Sequence, residues 1–199
     1  MGGGGVRMRI SGGAARGIVL EVPKGDRVRP ATDGMRQAVF SSLAAVVPGA
    51  RFLDLFAGSG AYGLEALSRG AAGGVFVEQN AKAVACIRRN VTAVCQSLGR
   101  AASGARDLVV LQADARRVPC GGAAEAPDLI FVDPPYDIIA EVAPALFARL
   151  AAACGSKPDA LVVFELPGEL DLNPAGWVML KRLGQGARQP TVAFFRRLR

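Results

Sequence analysis

The sequence predicts an α/β fold: a mostly parallel sheet covered on both faces by helices, with an antiparallel strand at its end. Three observations carry this. From Arg51 onward, short apolar runs and helical periodicities follow one another in strict succession, the pattern of parallel strands joined by crossover helices. The tail breaks the succession, because only the region of Gly184-Gln185-Gly186 separates the apolar runs at 177–183 and 191–198; that is too little for a crossover helix, so the two should pair antiparallel. The composition, finally, is that of a folded domain: 199 residues, 51% hydrophobic and 21% charged. A chain of this length buries roughly 70% of its unfolded surface without disulfides or a structural metal.

Residues 1–47 read as a basic arm. The tract Gly2 to Gly5 reads as a flexible lead-in or an expression scar, outside the fold. Residues 7–22 alternate polar and apolar on both sides of Gly12-Gly13, which predicts a small β-hairpin. A loop over 23–30 follows. Asp33 can then cap a helix whose apolar positions Met35, Val39, Leu43 and Val46 recur at helical spacing, ending before Pro48-Gly49. Residues 48–199 form the core. Its predicted strands lie at 52–56, 74–78, 108–112, 129–132 and 161–165, and its helices at 61–68, 81–98 and 138–152. The small-residue stretches 99–106 and 121–126 read as loops.

Composition removes several function classes. The chain has no His, which takes away the commonest zinc and iron ligand, the Ser-His-Asp relay and the usual general base near pH 7. Its cysteines, Cys86, Cys95, Cys120 and Cys154, show no CxxC spacing, so no metal site is expected and the thiols read as reduced, in a cytoplasmic protein. No apolar run approaches the ~20 residues of a membrane helix, no long apolar helix is left to seek a partner, and a monomer is expected. The formal charge of +7 is unevenly spread. Residues 7–36 carry a net +4 and residues 181–199 a net +6, leaving the middle at −3. Two basic ends around a mildly acidic middle suit a polyanion whose phosphates exchange counterions for Arg and Lys; a basic face kept for solubility is the plainer alternative.

Four motifs carry chemistry, each where a strand enters a loop. Asp54-Leu55-Phe56-Ala57-Gly58-Ser59-Gly60 closes the first core strand and opens a helix; glycines there let backbone approach a ligand, and open N–H groups favour an anionic group such as a carboxylate. The spacing Gly58, Gly60, Gly63 also matches a dinucleotide-binding GxGxxG. Glu78 closes the next strand about 20 residues on, where a carboxylate can accept both hydroxyls of a ribose. That points to a nucleoside and leaves the reaction open. Asp114, in Gln112-Ala113-Asp114-Ala115, could accept an adenine amino group or simply sit in a surface turn. The fourth motif is Asp133-Pro134-Pro135-Tyr136. Two prolines remove two N–H donors, so the turn offers only acceptors, the Asp133 carboxylate and backbone carbonyls. An exocyclic amino group, a double donor, requires this, and Tyr136 supplies a flat face on which a base can stack.

DLFAGSG, VFVE, QADA and DLIFVDPPY together resemble the class I S-adenosylmethionine-dependent methyltransferases that modify exocyclic amines. The arm narrows this. Met8-Arg9-Ile10-Ser11-Gly12-Gly13, Arg16-Gly17, Arg29-Pro30-Ala31-Thr32-Asp33, Arg36 and Phe40, with GLEALSRGA from Gly63 to Ala71, resemble the RsmD family, which methylates guanine N2 in 16S ribosomal RNA. Gln37 and Ser41 depart from that family's usual Glu and Asn, which bears on arm-to-core contacts. The resemblance implies a Rossmann-like seven-stranded sheet with S-adenosyl-L-methionine as cofactor. Asp54, Phe56, Ala57, Gly58, Ser59 and Gly60 would cradle its methionine part, Glu78 with Gln79 its ribose, and Asp114 with Ala115 its adenine. Asp133, itself beside the cofactor, and the Pro134 carbonyl would accept the protons of the guanine amine, with Pro135 and Tyr136 completing the catalytic turn. Arg7, Arg9, Arg16, Arg27, Arg29 and Arg36 would hold RNA of the small ribosomal subunit or its assembly intermediate.

Other readings have discriminating features. An adenine-N6 methyltransferase would share the acceptor turn, but the chain leaves little room for a target-recognition domain. A cytosine-C5 enzyme needs a thiolate after the fourth strand, whereas Cys120 precedes it. A non-catalytic RNA-binding assembly factor would keep the basic ends without taking up cofactor. An NAD dehydrogenase would need a hydride-transfer acid or base, and none is recognisable.

Overall fold

A computed structural model describes residues 8–23, 33–100, 107–118, 126–154, 156–187 and 189–198. In chain order the elements are α1 (Asp33–Ser42), β1 (Arg51–Leu55), α2 (Ala61–Ser68), β2 (Gly73–Glu78), α3 (Ala81–Ser97), β3 (Leu108–Gln112), β4 (Leu129–Val132), a 3-10 turn (Tyr136–Ile138) running into α4 (Ile139–Ala153), β5 (Leu161–Pro167), β6 (Trp177–Leu183) and β7 (Pro190–Arg197). The strands form a single sheet in the order β3-β2-β1-β4-β5-β7-β6. Strands β1 to β5 are parallel, and β7 inserts antiparallel between β5 and β6.

Side chains along the central strands alternate between two apolar layers, as the period of an extended chain demands. Phe52, Phe76, Phe131 and Phe194 point to the layer beneath α1, α2 and α3, while Leu53, Val75, Ile130 and Phe195 point to the layer beneath α4. The aromatic contacts follow the same division: Phe52 meets Phe76 edge-on at 5.1 Å between ring centroids, and Phe147 of α4 meets Phe195 at 5.1 Å. With both faces covered, β4 reads as an unbroken apolar run rather than an alternating one, and β1 and β2 are buried along nearly their whole length, Asp54 included.

The arm is less regular than its alternation predicts. Its hairpin reduces to one antiparallel bridge, Arg9 to Val19, flanked by bonds from Ile10 N–H to the Ile18 carbonyl and from Leu20 N–H to the Met8 carbonyl. The turn is diverted to the end of α2. Ala14 N–H donates to the Ser68 carbonyl, Ala15 N–H to Ser68 Oγ, and Ser68 Oγ to the Gly12 carbonyl. Gly13 makes this approach possible: its φ is +79°, and a Cβ there would lie 2.0 Å from the Ser68 carbonyl oxygen. Met8, Ile10, Ala15 and Leu20 are buried in the same apolar layer as α1 and α2. Helix α1 also stops earlier than its periodicity suggests. Past Ser42 the chain tightens, with Val46 N–H on the Leu43 carbonyl at 2.8 Å, which turns Val47 inward and leaves Val46 exposed.

Arg36 requires a correction. The basic segment predicts a phosphate ligand here, but the side chain is 1% exposed and its guanidinium faces inward. It pairs with Asp33 at 2.7 Å and Glu65 at 3.4 Å, and donates to the Arg9 carbonyl. Burial of a guanidinium is tolerable only with such partners, and those partners leave it no face for RNA. Arg9 and Arg16 are exposed. Arg7, Arg27 and Arg29 lie outside the described residues, as do the Gly2 to Gly5 tract and Cys120. Cys86, Cys95 and Cys154 are buried.

Candidate functional site

The glycine loop and the acceptor turn leave the sheet side by side. Strand order reverses between β1 and β4, because β2 and β3 lie to one side of β1 and β5 to one side of β4. At such a switch point the loops diverge and open a crevice at the carboxyl edge. Leu55 is in register with Val132, so the loop after β1 and the turn after β4 begin at the same level, one strand spacing apart, roughly 4.8 Å. The Asp133 N–H donates to the Leu55 carbonyl at 3.4 Å.

Phe56, Gly58 and Gly60 adopt left-handed φ values of 58°, 55° and 79°, and Phe56 is the one non-glycine residue with positive φ among the described residues. For a bulky side chain this conformation is costly. Bonds to the next strand hold it: Ala57 N–H donates to the Val77 carbonyl at 3.0 Å, and Gly58 N–H to Glu78 Oε2 at 2.9 Å. Gly60 opens α2 against the core, where a Cβ would meet Phe76, Ile87 and Leu64 at 3.3 to 3.4 Å. Ser59 is buried, donates its hydroxyl to the Met8 sulfur at 3.3 Å, and lends its carbonyl to Asn90 Nδ2 at 2.9 Å. The same Asn90 amide donates to the Glu21 carbonyl at 2.9 Å, so the arm is fastened to the back of the loop.

Glu78 accepts from Gly58 N–H through one oxygen and from Asn80 N–H through the other, at 2.8 Å. Each carboxylate oxygen carries two lone pairs, so both oxygens keep capacity for a diol. Gln79 beside it is exposed. Asp114 differs from expectation. Arg116 closes on both of its oxygens, the shortest contact 2.8 Å from Nη2 to Oδ2, and this hydrogen bonding lowers its pKa. The open acceptor expected there is already engaged, because an arginine follows two residues later. Ala115 is buried beside it. A cleft of about 140 Å³ lies alongside, lined by Phe56, Arg116, Glu141, Val142, Leu146 and Arg149 among others. It joins the glycine loop to the turn after β3.

The acceptor turn is as donor-poor as its prolines imply. No side-chain donor among the described residues reaches the Asp133 carboxylate, and none of their backbone N–H groups reaches the Pro134 carbonyl. Pro135 uses its carbonyl on the Ile138 N–H at 3.2 Å, opening the turn into α4. Pro134 is buried, Pro135 exposed, and Tyr136 presents 39% of its surface. Burial, and then the charges of Glu165 and Asp54, push the Asp133 pKa well above the carboxylate range. Burial likewise lifts Asp54 to about 8, opposed by the bond from Gly63 N–H and reinforced by Glu78.

Two site residues gave no sequence signal as motifs. Glu165 sits near the carboxyl end of β5, 2% exposed, and accepts from Tyr62 OH at 3.2 Å and Tyr136 OH at 3.4 Å. Burial raises its pKa to about 7, against the lowering effect of the two phenols. The available hint was a lone acid in the apolar run Leu161-Val162-Val163-Phe164-Glu165, since an unpaired carboxylate is almost never buried without purpose. Tyr62 is 7% exposed and stacks on Phe131 at 5.3 Å. In sequence it looks like any apolar position of α2.

This sheet order, with one antiparallel strand slotted between the fifth and sixth and a glycine loop after the first, is the fold of the class I methyltransferases. The chain belongs to the RsmD family, matched over residues 8–194 under the description Conserved hypothetical protein 95. It is 30% identical to ribosomal RNA small subunit methyltransferase D of Haemophilus influenzae over 180 residues, 90% of this chain and 89% of that one. With the Escherichia coli K12 protein of the same name it shares 39% identity over 137 residues, 65% of this chain and 61% of the relative's length. The solved structure of yhhF from Escherichia coli superposes with a TM-score of 0.71 at 29% identity, covering 96% of this chain and 98% of that one.

Proposed function

We propose that this chain transfers a methyl group from S-adenosyl-L-methionine to the exocyclic N2 amine of a guanine in 16S ribosomal RNA of the small subunit or its assembly intermediate. One observation carries the reading: a proline turn whose Asp133 N–H and Tyr136 hydroxyl are already spent on Leu55 and Glu165, so that acceptors remain, leaves the sheet one strand away from a wound glycine loop, in register with it. The family membership and the names of its relatives agree with a ribosomal RNA substrate.

The residues present fit the cofactor. Glu78 keeps unused lone pairs, the loop from Asp54 to Gly60 exposes backbone where side chains are absent, and the cleft beside Phe56 and Arg116 offers an apolar wall of Val142 and Leu146. When bound, S-adenosylmethionine supplies an electrophilic methyl on a sulfonium. The protein's part is positioning and electrostatics. An aryl amine is a poor nucleophile because its lone pair is delocalised into the ring. Accepting its two protons at the Asp133 carboxylate and the Pro134 carbonyl favours a more tetrahedral nitrogen, with the lone pair directed away from the turn. The proton shed by the methylated amine is acidic, so no strong base is needed. Tyr136 offers a stacking face for a base extruded from its helix. Arg9 and Arg16 are the exposed arm cations that would meet RNA phosphates.

The test is mass spectrometry of nucleosides from 16S ribosomal RNA and from small-subunit particles incubated with the protein and labelled cofactor. N2-methylguanosine is expected, and Asp133→Ala should abolish it while the protein still melts cooperatively. Labelled N6-methyladenosine, or no labelled nucleoside from either substrate, overturns the reading.

A further inference from the structure

Among the described residues, Glu165 is the one buried carboxylate at the carboxyl edge that the proposed chemistry leaves unused. Its two oxygens go to two different parts of the site. Oε2 takes the hydroxyl of Tyr62, on the helix that the glycine loop opens, and Oε1 takes the hydroxyl of Tyr136, on the acceptor turn. Its backbone is the next register step beyond the Val132 to Phe164 pair, which sets it beside Asp133 on the neighbouring strand. Two carboxyl groups at the ends of adjacent strands, one nearly inaccessible and one only partly exposed, are costly unless the inner one is doing something for the outer.

We propose that Glu165 is a positioning residue: it fixes the Tyr136 ring beside Asp133, ties the acceptor turn to the glycine-loop helix through Tyr62, and places its own carboxylate next to that of Asp133. This deepens the function proposed above and rests on it for the kinetic part only. At 2% exposure Glu165 has no surface for a base, so it acts through its neighbours. A tyrosine free to rotate about its side-chain bonds would spend part of its time away from the crevice; a hydrogen bond at the far end of the ring restricts it to one orientation. The alternative acceptors are few, because the charged and titratable groups facing this point are Tyr62 and Arg36 on the α1 and α2 side, Asp54 from β1, Asp133 from β4, Tyr136 from the turn and Glu169 beyond β5. Glu165 is the group among them that accepts from both phenols.

The electrostatic half has a definite sign. A negative Glu165 disfavours the negative form of Asp133, so neutralising Glu165 lowers the Asp133 pKa. If ionised Asp133 is the acceptor, the acidic limb of the turnover profile then moves to lower pH.

The experiment compares wild type, Glu165→Gln, Tyr136→Phe and the double variant. Expected are a roughly tenfold fall in kcat for Glu165→Gln, a KM for cofactor within about twofold of wild type, a fall for the double variant no greater than for the worse single one, and an acidic limb displaced downward. Carboxyl-carbon NMR of labelled aspartate reads the same displacement of the Asp133 titration without any turnover. Additive losses, an Asp133 titration that does not move, or loss of cofactor binding alongside activity would each overturn the proposal and leave Glu165 as packing. If wild type methylates neither RNA, the proposed function fails, while the NMR titration and Tyr136 ring mobility still decide whether Glu165 governs its neighbours.

Discussion

Asp54 shows how one residue can serve the loop and burden the fold. It is 2% exposed and accepts from Gly63 N–H at 2.9 Å, which holds the start of α2 against β1. Its folded pKa of about 8 stands above the ordinary 3.8 because burial disfavours its charge. Between those values the unfolded chain has released this proton and the folded one retains it, so this group's contribution to stability falls as pH rises through the window. Asp54→Asn keeps an acceptor for Gly63 N–H and has nothing to titrate. Urea denaturation at pH 5 and pH 8 should therefore show wild type losing more stability across the interval than the variant. Equal losses would mean that Asp54 is ionised at both values. The sequence made Asp54 legible as the head of the glycine motif; its burial, and the partnership of Glu165 with two phenols, were not, because both depend on which strands become neighbours.

At the scale of elements, the arm is locked to the core through Glu65 of α2. This carboxylate is completely buried; it accepts from Ser11 N–H and Ser11 Oγ at 2.8 Å each, from Arg69 Nε at 2.9 Å and from Arg36 Nε at 3.4 Å. Arm, α1 and α2 thus converge on two oxygens. Arg69 also lies over the Phe40 ring at 5.3 Å. Removing one member of such a network leaves buried charge uncompensated, at about 3–5 kcal/mol. Glu65→Ala should lose about that much in chemical denaturation, and should expose the arm to limited proteolysis before the sheet; a loss within ~0.5 kcal/mol would mean the arm is held by its apolar side chains alone. Periodicity located α2, β3, β4 and β6 to the residue, since their apolar patterns are local. It read the first element as a hairpin because alternation cannot reveal that Ser68, more than fifty residues away, takes the turn's hydrogen bonds. Arg36 follows the same logic: a positive charge in a basic segment looks solvent-facing until its buried partner, Glu65, is known.

For the whole molecule, the question is whether the two basic ends form one surface. They are far apart in sequence, at net +4 over residues 7–36 and net +6 over residues 181–199. The arm packs in the apolar layer to which Phe194 belongs, and Lys181 Nζ lies 4.7 Å from the centre of the Phe194 ring. Met35 of α1 reaches Gly184 at the end of β6, close enough that a Cβ there would sit 2.8 Å from its Cε. Arg197 of the second basic end donates to the Ala151 carbonyl of α4, whereas Lys181 lies with the arm on the face that α1, α2 and α3 cover. A polyanion bridging them would release counterions to both, and each lost phosphate contact lowers the salt slope of binding by roughly 0.7 to 0.9. Binding of 16S ribosomal RNA should be measured from 50 to 300 mM potassium chloride for wild type, for Arg9→Gln with Arg16→Gln, for Lys181→Gln and for the triple variant. The slopes should fall in proportion to the cations removed, while cofactor affinity stays constant. If Lys181→Gln leaves the slope unchanged and the arm pair reduces it, the RNA follows the arm and the β6 edge faces away from it; if neither changes it, the phosphates are held elsewhere, and the basic ends serve solubility.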